Sequence, residues 1–258
     1  QMTVPMPNYD RLKVHSIAKD PHGNLWVGIF QKGVVMMPSI ENDFNTLANS
    51  SFNPGIIGSA CATTICRDSE QRLWVGTDND GIYCLDKNFR NSRHFNSPET
   101  PKAVLAIKED KRGNLWVASY DKGAGIIDKE TGSYRKIELA DDKGIEVARV
   151  FDIDEDNNGN ILFATMGSGI HVYDYRTSKA KYSKDINQNI NPWLTSIDIS
   201  PIDGCIYLGS FDGLHKVSPD HKVTQLERDV IIFAVYIDTT RKCIWLATAT
   251  GLQQMGFD

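Results

Sequence analysis

The chain has 258 residues, of which 41% are hydrophobic, 24% charged and 9% aromatic, and its formal net charge is −5. This composition is typical of a folded protein and excludes a disordered chain. No apolar run approaches the roughly 20 residues of a membrane-spanning helix, and the negative charge disfavours nucleic acid as a partner. The first ten residues lack the basic start and apolar core of a signal peptide, so we expect either a mature protein or an excised piece.

One pattern recurs six times along the chain, at intervals of roughly 44 residues, which is the length of a propeller blade. An Asp/Gly/Asn turn is followed by a β-rich run in each copy. The copies are DPHGNLWVG (20–28), DSEQRLWVG (68–76), DKRGNLWVA (110–118), DNNGNILFA (156–164), SPIDGCIYLG (200–209) and DTTRKCIWLA (238–247). Their equivalent bulky residues are Trp26, Trp74, Trp116, Leu162, Tyr207 and Trp245. We expect these side chains to wedge between neighbouring sheets as core residues.

Each copy reads as four short strands in chain order. An apolar run such as VHSIAKD (14–20) precedes the turn, and a third run such as GIHVYD (169–174) and a polar fourth run such as KVTQLE (222–227) follow it. No stretch has the length and 3.6-residue periodicity of a crossover helix. The sequence therefore predicts an all-β fold, a six-bladed β-propeller of four-stranded antiparallel blades in a single domain over residues 1–258. The predicted repeats are approximately 9–54, 55–98, 99–142, 143–188, 189–228, and 229–258 plus 1–8.

The two ends of the chain suggest how such a ring closes. The sixth copy ends in GLQQMGFD (251–258) after its third strand, and the chain opens with the extended segment QMTVPMPN (1–8). We expect Thr3–Met6 to supply the outer strand of the sixth blade, since closure removes exposed sheet edges. The alternative is that the chain is a fragment of a longer array with an imperfect ring.

Small residues in the first strand of five of the six copies fit the crowding of inner strands around a central axis. These residues are Ala18, Ala62, Ala106, Ala148 and Ala234.

The five cysteines form an odd number without zinc-ligand spacing, and Cys61 and Cys66 point to opposite faces of one strand. We therefore expect no cofactor and no metal.

Motifs for catalysis are weak. GSGIH (167–171) falls at a strand–turn–strand position and predicts a β-turn, because a phosphate-binding loop would open a helix. DEDNNGN (154–160) resembles a calcium loop, but Thr165 stands where the closing glutamate is required. A propeller lyase or metal-dependent lactonase would need converging His or carboxylate ligands near the axis, and Asp152 and Asp198 are the only inner-strand acids that could serve there.

The loops after the second strand and between blades converge on one face of a propeller, where binding sites form. The expected ligand-binding residues are Phe30, Lys32, Asp78, Asp80, Tyr120, Asp121, Lys122, Trp193, Phe211 and Asp212. Aromatic faces stack on sugar rings while Asp and Lys bond hydroxyls, so this set suits an oligosaccharide or another polar small ligand. The alternatives are that Trp193 is a plug packed over the ring, that Tyr120 and Phe211 pack locally, and that the charged residues are solvated turn residues.

The copies DSEQRLWVGTDNDGIYCLDKN (68–88) and DKRGNLWVASYDKGAGIIDKETGSYRKI (110–137) resemble two-component regulator propeller repeats. Such repeats are found in the periplasmic sensor region of bacterial hybrid two-component system histidine kinases. The resemblance implies a periplasmic, non-catalytic sensor that responds to a carbohydrate-derived signal, with kinase activity elsewhere in the full-length protein. It also implies neighbouring receptor domains, and a homodimer through the full-length receptor, as partners. A protein-interaction scaffold and a propeller lyase or lactonase remain as alternatives.

Overall fold

The computed structural model describes residues 14–29, 33–37, 47 and 57–257. The chain forms two compact units, Gln1–Ser59 and Ala60–Asp258. No helix in the described ranges has the length and hydrophobicity needed to cross a membrane. The predicted closing strand Thr3–Met6, together with the candidate site residues Phe30 and Lys32, lies outside the described residues.

The first unit contains one antiparallel sheet, which we call blade 1. Its strands are β1 (Val14–Lys19), β2 (Leu25–Ile29) and β3 (Gly33–Met37), in that order. The Asp20 side chain accepts hydrogen bonds from the turn amides of His22 and Asn24 and from the Trp26 indole, which lies 3.0 Å away. This turn is therefore built as the Asp/Gly/Asn pattern predicts.

The second unit contains five antiparallel sheets, blades 2 to 6, each a simple up-and-down meander. Blade 2 is β4 (Ala62–Arg67), β5 (Leu73–Thr77), β6 (Ile82–Leu85) and β7 (Ser92–Phe95). Blade 3 is β8 (Val104–Glu109), β9 (Leu115–Ser119), β10 (Gly123–Ile127) and β11 (Tyr134–Ile137). Blade 4 is β12 (Val150–Glu155), β13 (Ile161–Thr165), β14 (Gly169–Asp174) and β15 (Lys179–Tyr182), followed by the one-turn helix α1 (Lys184–Asn187). Blade 5 is β16 (Leu194–Ile199), β17 (Ile206–Ser210), β18 (Gly213–Val217) and β19 (Val223–Arg228), and blade 6 is β20 (Ile232–Asp238), β21 (Cys243–Thr248) and β22 (Gly251–Gly256).

Consecutive blades of the second unit pack against each other through their first strands, β4, β8, β12, β16 and β20. Each of the four interfaces holds its own hydrophobic cluster. The residue in the tryptophan register of blades 2 to 5 belongs to the cluster shared with the next blade; these residues are Trp74, Trp116, Leu162 and Tyr207. The all-β architecture of six antiparallel sheets is thus confirmed, and so is the wedge role of Trp74 and Trp116, which are fully buried.

Two of the tryptophans differ from that expectation. Trp26 in the first unit is 41% exposed, and Trp245 in blade 6 is half-buried. Both indoles still donate to the turn aspartate of their own blade, over 3.0 Å to Asp20 and 3.3 Å to Asp238. The Trp–Asp hydrogen bond is therefore the constant feature of this register, and full burial is not. All five cysteines are free thiols.

A register shift occurs at the same point in the first strand of every blade. It falls between Val14 and Ser16 in blade 1, and the five equivalent shifts are Ala62/Thr64, Val104/Ala106, Val150/Asp152, Leu194/Ser196 and Ile232/Ala234. Four of the five alanines expected on first strands lie there, whereas Ala148 precedes β12, and only Ala106 and Ala234 share the position after the register shift. The small residue lies opposite, on the second strand: Gly28, Gly76, Ala118, Ala164, Gly209 and Ala247.

Candidate functional site

The two ends of the blades differ in how they are closed. We call the end that carries the 1–2 and 3–4 turns the turn face, and the end with the 2–3 hairpins and the joining loops the hairpin face. In blade 3, Asp110 on the turn face accepts from the amides of Arg112 and Asn114 at 2.9 Å and from the indole of Trp116 at 2.7 Å. Burial raises the pKa of Asp110, but these bonds and one from the Tyr175 hydroxyl outweigh it and hold the pKa below its usual value.

Hairpins on the hairpin face are closed by a hydroxyl at the end of the second strand. In each blade of the second unit this hydroxyl donates to the carbonyl of the glycine that opens the third strand. The five pairs are Thr77–Gly81, Ser119–Gly123, Thr165–Gly169, Ser210–Gly213 and Thr248–Gly251, at 2.7 to 3.0 Å. Sequence analysis missed this Ser/Thr register, although its position after the LWVG-type run repeats. It holds the loops that carry the candidate site residues.

Asp80 and Asp212, two of the predicted ligand-binding acids, are engaged within their own hairpins. Asp80 accepts from the Tyr83 hydroxyl at 2.6 Å, and Asp212 lies 3.0 Å from His215 Nε2. Burial raises the pKa of Asp212, while hydrogen bonds from Ser210 and His215 lower it below its usual value. The pattern Asp-Gly-x-Tyr/His in both hairpins is the sequence signal for this pairing.

The other predicted charged residues of blades 2 and 3, Asp78, Asp121 and Lys122, all contact the backbone of the loops that join the blades. Asp121 lies within 3.2 and 3.4 Å of the backbone amides of Lys102 and Ala103, so it fixes the start of its blade. Lys122 donates to the Pro98 carbonyl in the joining loop. The amide of Asp78 donates to the Cys61 carbonyl at 2.9 Å. These contacts make Asp121 and Lys122 scaffold residues of the hairpin face.

The predicted aromatic residues Tyr120, Trp193 and Phe211 are exposed, at 44%, 46% and 43%. Trp193 and Phe211 pack edge to face with ring centroids 6.2 Å apart. The Arg149 guanidinium lies over the Tyr120 ring at 4.9 Å.

Backbone contacts connect the two aromatic groups across blade 4. The Met166 amide donates to the Arg149 carbonyl at 3.1 Å, and Met166 forms a β-bridge with Trp193. Tyr120, Arg149, Met166, Trp193 and Phe211 thus form one continuous strip over blades 3 to 5, which we call the aromatic row. Sequence analysis missed Arg149, because its place beside Tyr120 depends on contact between two blades.

The first strands of the second unit line a cavity of about 480 Å³. Three carboxylates, Asp152, Asp154 and Asp198, and one ammonium group, Lys108, face it. The expectation that Asp152 and Asp198 are the only inner-strand acids is wrong, because β12 extends to Glu155 and so includes Asp154. Lys108 is paired with Asp154 at 2.5 Å. We call this space the channel.

Channel carboxylates accept hydrogen bonds from the backbone of the next blade. Asp152 accepts from the Ile197 amide at 3.0 Å, Asp154 from the Ile199 amide at 2.8 Å, and Asp198 from the Ile237 amide at 2.7 Å. Burial raises the pKa of Asp152 and of Asp198 to about 6, because desolvation outweighs these bonds. The three acids therefore connect blades 4, 5 and 6. Among the described residues, no group of three or more His, Cys, Asp or Glu has a metal-binding arrangement.

Two segments of the chain, residues 56–79 and 99–121, match the family model described as "Two component regulator propeller". These segments include β4 and β5 of blade 2 and β8 and β9 of blade 3, with Trp74 and Trp116 in their shared register. The chain therefore contains two-component regulator propeller repeats, as the sequence motifs indicated. No curated protein matches the chain.

Solved structures with the same fold include two extracellular domains from B. thetaiotaomicron. The domain of the hybrid two component system BT3049 has a TM-score of 0.74 and 23% identity over 95% of this chain and 34% of its own. That of the one component system BT4673 has a TM-score of 0.65 and 16% identity over 96% and 39%. A streptogramin B lyase structure has a TM-score of 0.62 and 15% identity over 100% and 82%. At these identities the likeness shows the propeller fold, and the chain spans little more than a third of the two extracellular domains.

Proposed function

We propose that this chain is a non-catalytic sensor propeller of a bacterial two-component receptor, placed in the periplasm, and that it binds a polar ligand such as an oligosaccharide. The propeller repeats in blades 2 and 3 support the receptor role. The fold shared with extracellular domains of signalling systems supports the location. Kinase activity would lie in other parts of the full-length receptor.

The observation that carries the ligand proposal is the aromatic row. Tyr120 and the Trp193–Phe211 pair lie exposed on the hairpin face, where a folded protein would otherwise bury such apolar area. Their ring faces suit the apolar face of a sugar, and the Arg149 guanidinium adds donors for hydroxyl oxygens. Asp121 and Lys122 hold the Tyr120 loop in place beneath the ligand.

A rigid platform suits this role. In all five hairpins of the second unit, a Ser or Thr hydroxyl donates to the carbonyl of the following glycine. The channel carboxylates also connect blades 4 to 6. A ligand on the row would therefore act through differential contact with neighbouring receptor domains, or with the second receptor of a homodimer, rather than by deforming the blades. These domains are the proposed partners.

Thermal shift with a panel of neutral oligosaccharides tests the proposal. A ligand that binds only the folded state raises the melting temperature. At a ligand concentration of one hundred times Kd, the folded state gains roughly 2.7 kcal/mol of stability. Trp193→Ala and Tyr120→Ala should each remove the shift. Leu252→Ala is the control, since Leu252 is 72% exposed on blade 6 outside the row. A shift that survives both row variants, or no shift with any oligosaccharide, would contradict the ligand proposal.

The lyase alternative has one specific observation in its favour, the fold shared with streptogramin B lyase. Its acids would have to come from the channel, where Asp152 and Asp198 already accept backbone hydrogen bonds. Cleavage of a streptogramin B substrate that is lost in Asp152→Asn would favour the lyase. A protein-interaction scaffold would instead show no small-ligand shift and would bind a receptor domain through the row.

A further inference from the structure

The turn face carries a second cavity, of about 420 Å³, between the 1–2 turn of blade 3 and the third and fourth strands of blade 4. We call it the 3/4 groove. Its polar lining is Arg112, Asn160, Asp174, Tyr175, Arg176 and Lys181. It lies at the opposite end of the blades from the aromatic row and is separate from the site proposed above.

Arg112 is held in a fixed orientation in this groove. Its guanidinium lies 3.9 Å from the centroid of the Tyr175 ring, and its Nη1 donates to the Gly159 carbonyl at 2.8 Å. The Tyr175 hydroxyl is in turn bonded to Asp110, and its ring packs edge to face on Tyr173 and on Trp116. A stacked, anchored guanidinium loses little conformational entropy on binding, and its planar fork matches a carboxylate or sulfate.

The groove also has a surplus of positive charge. Arg112, Arg176 and Lys181 face one carboxylate, Asp174, which leaves a net charge of +2. Asp174 lies 3.3 Å from Arg176 and 3.9 Å from Lys181, so it compensates only part of that charge. The Lys181 side chain is 67% exposed, so its ammonium can contact a ligand as well as Asp174.

The equivalent groove between blades 2 and 3 provides an internal comparison. Its lining charges are Glu70, Asp128 and Glu130 against Lys129 and Arg135, a net charge of −1. The cations beside it are occupied, since Arg72 contacts Asp68, Glu70 and Glu130, and Lys129 pairs with Glu109. The positive surplus of the 3/4 groove is therefore absent from the equivalent groove between blades 2 and 3.

We propose that the 3/4 groove is a binding site for an acidic saccharide unit, in which a sulfate or carboxylate group sits against Arg112 and Lys181. The stacked guanidinium supplies the fork, and Lys181 supplies a second charge. The Asn160 amide nitrogen donates to Asp156, so its side-chain carbonyl oxygen supplies an acceptor for a sugar hydroxyl. A cavity of this volume holds one or two sugar rings, and an acidic peptide, which could add along the free edge of β15, is the competing ligand in the test.

Isothermal titration of the full 258-residue chain at low salt tests the proposal with four probes: galactose 6-sulfate, galacturonate, galactose and a hexaglutamate peptide. The two acidic sugars should bind and galactose should not. Arg112→Lys, which keeps the charge but loses the fork, should weaken binding about tenfold, and Lys181→Gln about fivefold. Raising the salt to about 0.5 M should weaken it further, because exposed charges are screened.

Arg135→Gln, which removes one charge from the groove between blades 2 and 3, is the matched control and should leave binding unchanged. Lys181 is exposed, so its variant tests the site even if an Arg112 variant fails to fold. Wild-type affinity in Lys181→Gln would overturn the proposal, as would hexaglutamate binding more tightly than both acidic sugars, which would assign the groove to an acidic peptide. Trp193→Ala should not affect this binding, so failure here is distinguishable from failure of the aromatic row.

Discussion

Asp110 on the turn face of blade 3 and Asp152 in the channel wall of blade 4 have opposite pKa shifts. Asp110 accepts five hydrogen bonds, two of them from the Trp116 indole and the Tyr175 hydroxyl, and its pKa lies below the usual value despite burial. Asp152 accepts three, lies near a second carboxylate, Asp154, and has its pKa raised to about 6. Hydrogen bonds therefore outweigh desolvation at Asp110, whereas desolvation and the neighbouring carboxylate outweigh the hydrogen bonds at Asp152.

This difference has opposite consequences for stability. A lowered pKa contributes stability above the unfolded value of about 3.8, and that stability is lost as the pH falls through the folded pKa. A raised pKa contributes stability at low pH that is lost as the pH rises through about 6. At neutral pH Asp110 therefore stabilises the fold, while Asp152 and Asp198 weaken it.

The largest loss of unfolding free energy should come from removing the Trp116 indole, which bonds Asp110 and fills the interface with blade 4. Trp116→Ala should cost about 3–5 kcal/mol of unfolding free energy, because a fully buried indole leaves a cavity and Asp110 loses a donor. Trp26→Ala, whose indole is 41% exposed, should cost much less. Urea denaturation at pH 7 measures both, and equal losses would show that burial does not set the strength of the Trp–Asp unit.

The channel aspartates give the next largest effect, and it depends on pH. The unfolding free energy of the wild type minus that of Asp152→Asn/Asp198→Asn should rise by about 2 kcal/mol as the pH falls from 7 to 5. Taking this difference removes the opposite contribution of His171, whose pKa is lowered by burial. A difference that is flat, or that falls, between pH 7 and 5 would show that the channel carboxylates are not strained by burial.

A smaller effect compares two turns of the same type. Asp110 bonds a tryptophan, whereas Asp156 in blade 4 accepts only from Asn158 and Asn160, because Leu162 replaces the indole. Asp110→Asn should therefore destabilise the protein by about 1–2 kcal/mol more than Asp156→Asn, measured by chemical denaturation. Equal effects would mean that the turn amides alone account for the role of the aspartate.

The smallest loss of stability should come from removing one of the Ser/Thr hydroxyls that close the hairpins. Thr165→Val keeps the shape of the side chain but removes the 2.7 Å hydrogen bond to the Gly169 carbonyl. Because one hydrogen bond contributes about 1 kcal/mol net, we expect a loss of that size in the thermal unfolding of the variant. No loss would indicate that the glycine backbone closes the hairpin without the hydroxyl.

The fold could be predicted from the sequence because its determinants are local and repeated. The Asp turn, the bulky wedge and the strand lengths lie within about ten residues of each other in every copy, so six copies predict six sheets. Blade 5 departs in sequence, with Ser200 in place of the turn aspartate and Tyr207 in place of the tryptophan. It keeps the architecture because Tyr207 still fills the interface with blade 6.

The candidate site was predictable only in part. Tyr120, Trp193 and Phe211 are exposed on the hairpin face as expected, since loop position can be read from the repeat. Arg149 could not be found, because its contact with Tyr120 joins two blades. The engagement of Asp80 by Tyr83 could have been inferred from their spacing of three residues. Which loop charges remain free for a ligand is decided by side-chain partners, and composition does not reveal them.

The register shift in the first strand of every blade has a consequence for how the sequence of such a protein can change in evolution. In the second unit it places one side chain of each first strand opposite a Gly or an Ala: Thr64, Ala106, Asp152, Ser196 and Ala234. Because the small partner leaves room, an exchange at one of these positions can change the polarity of the channel wall without repacking a blade. Substitutions at these positions can therefore change the chemistry of the channel one side chain at a time, while the shape of the blades stays the same.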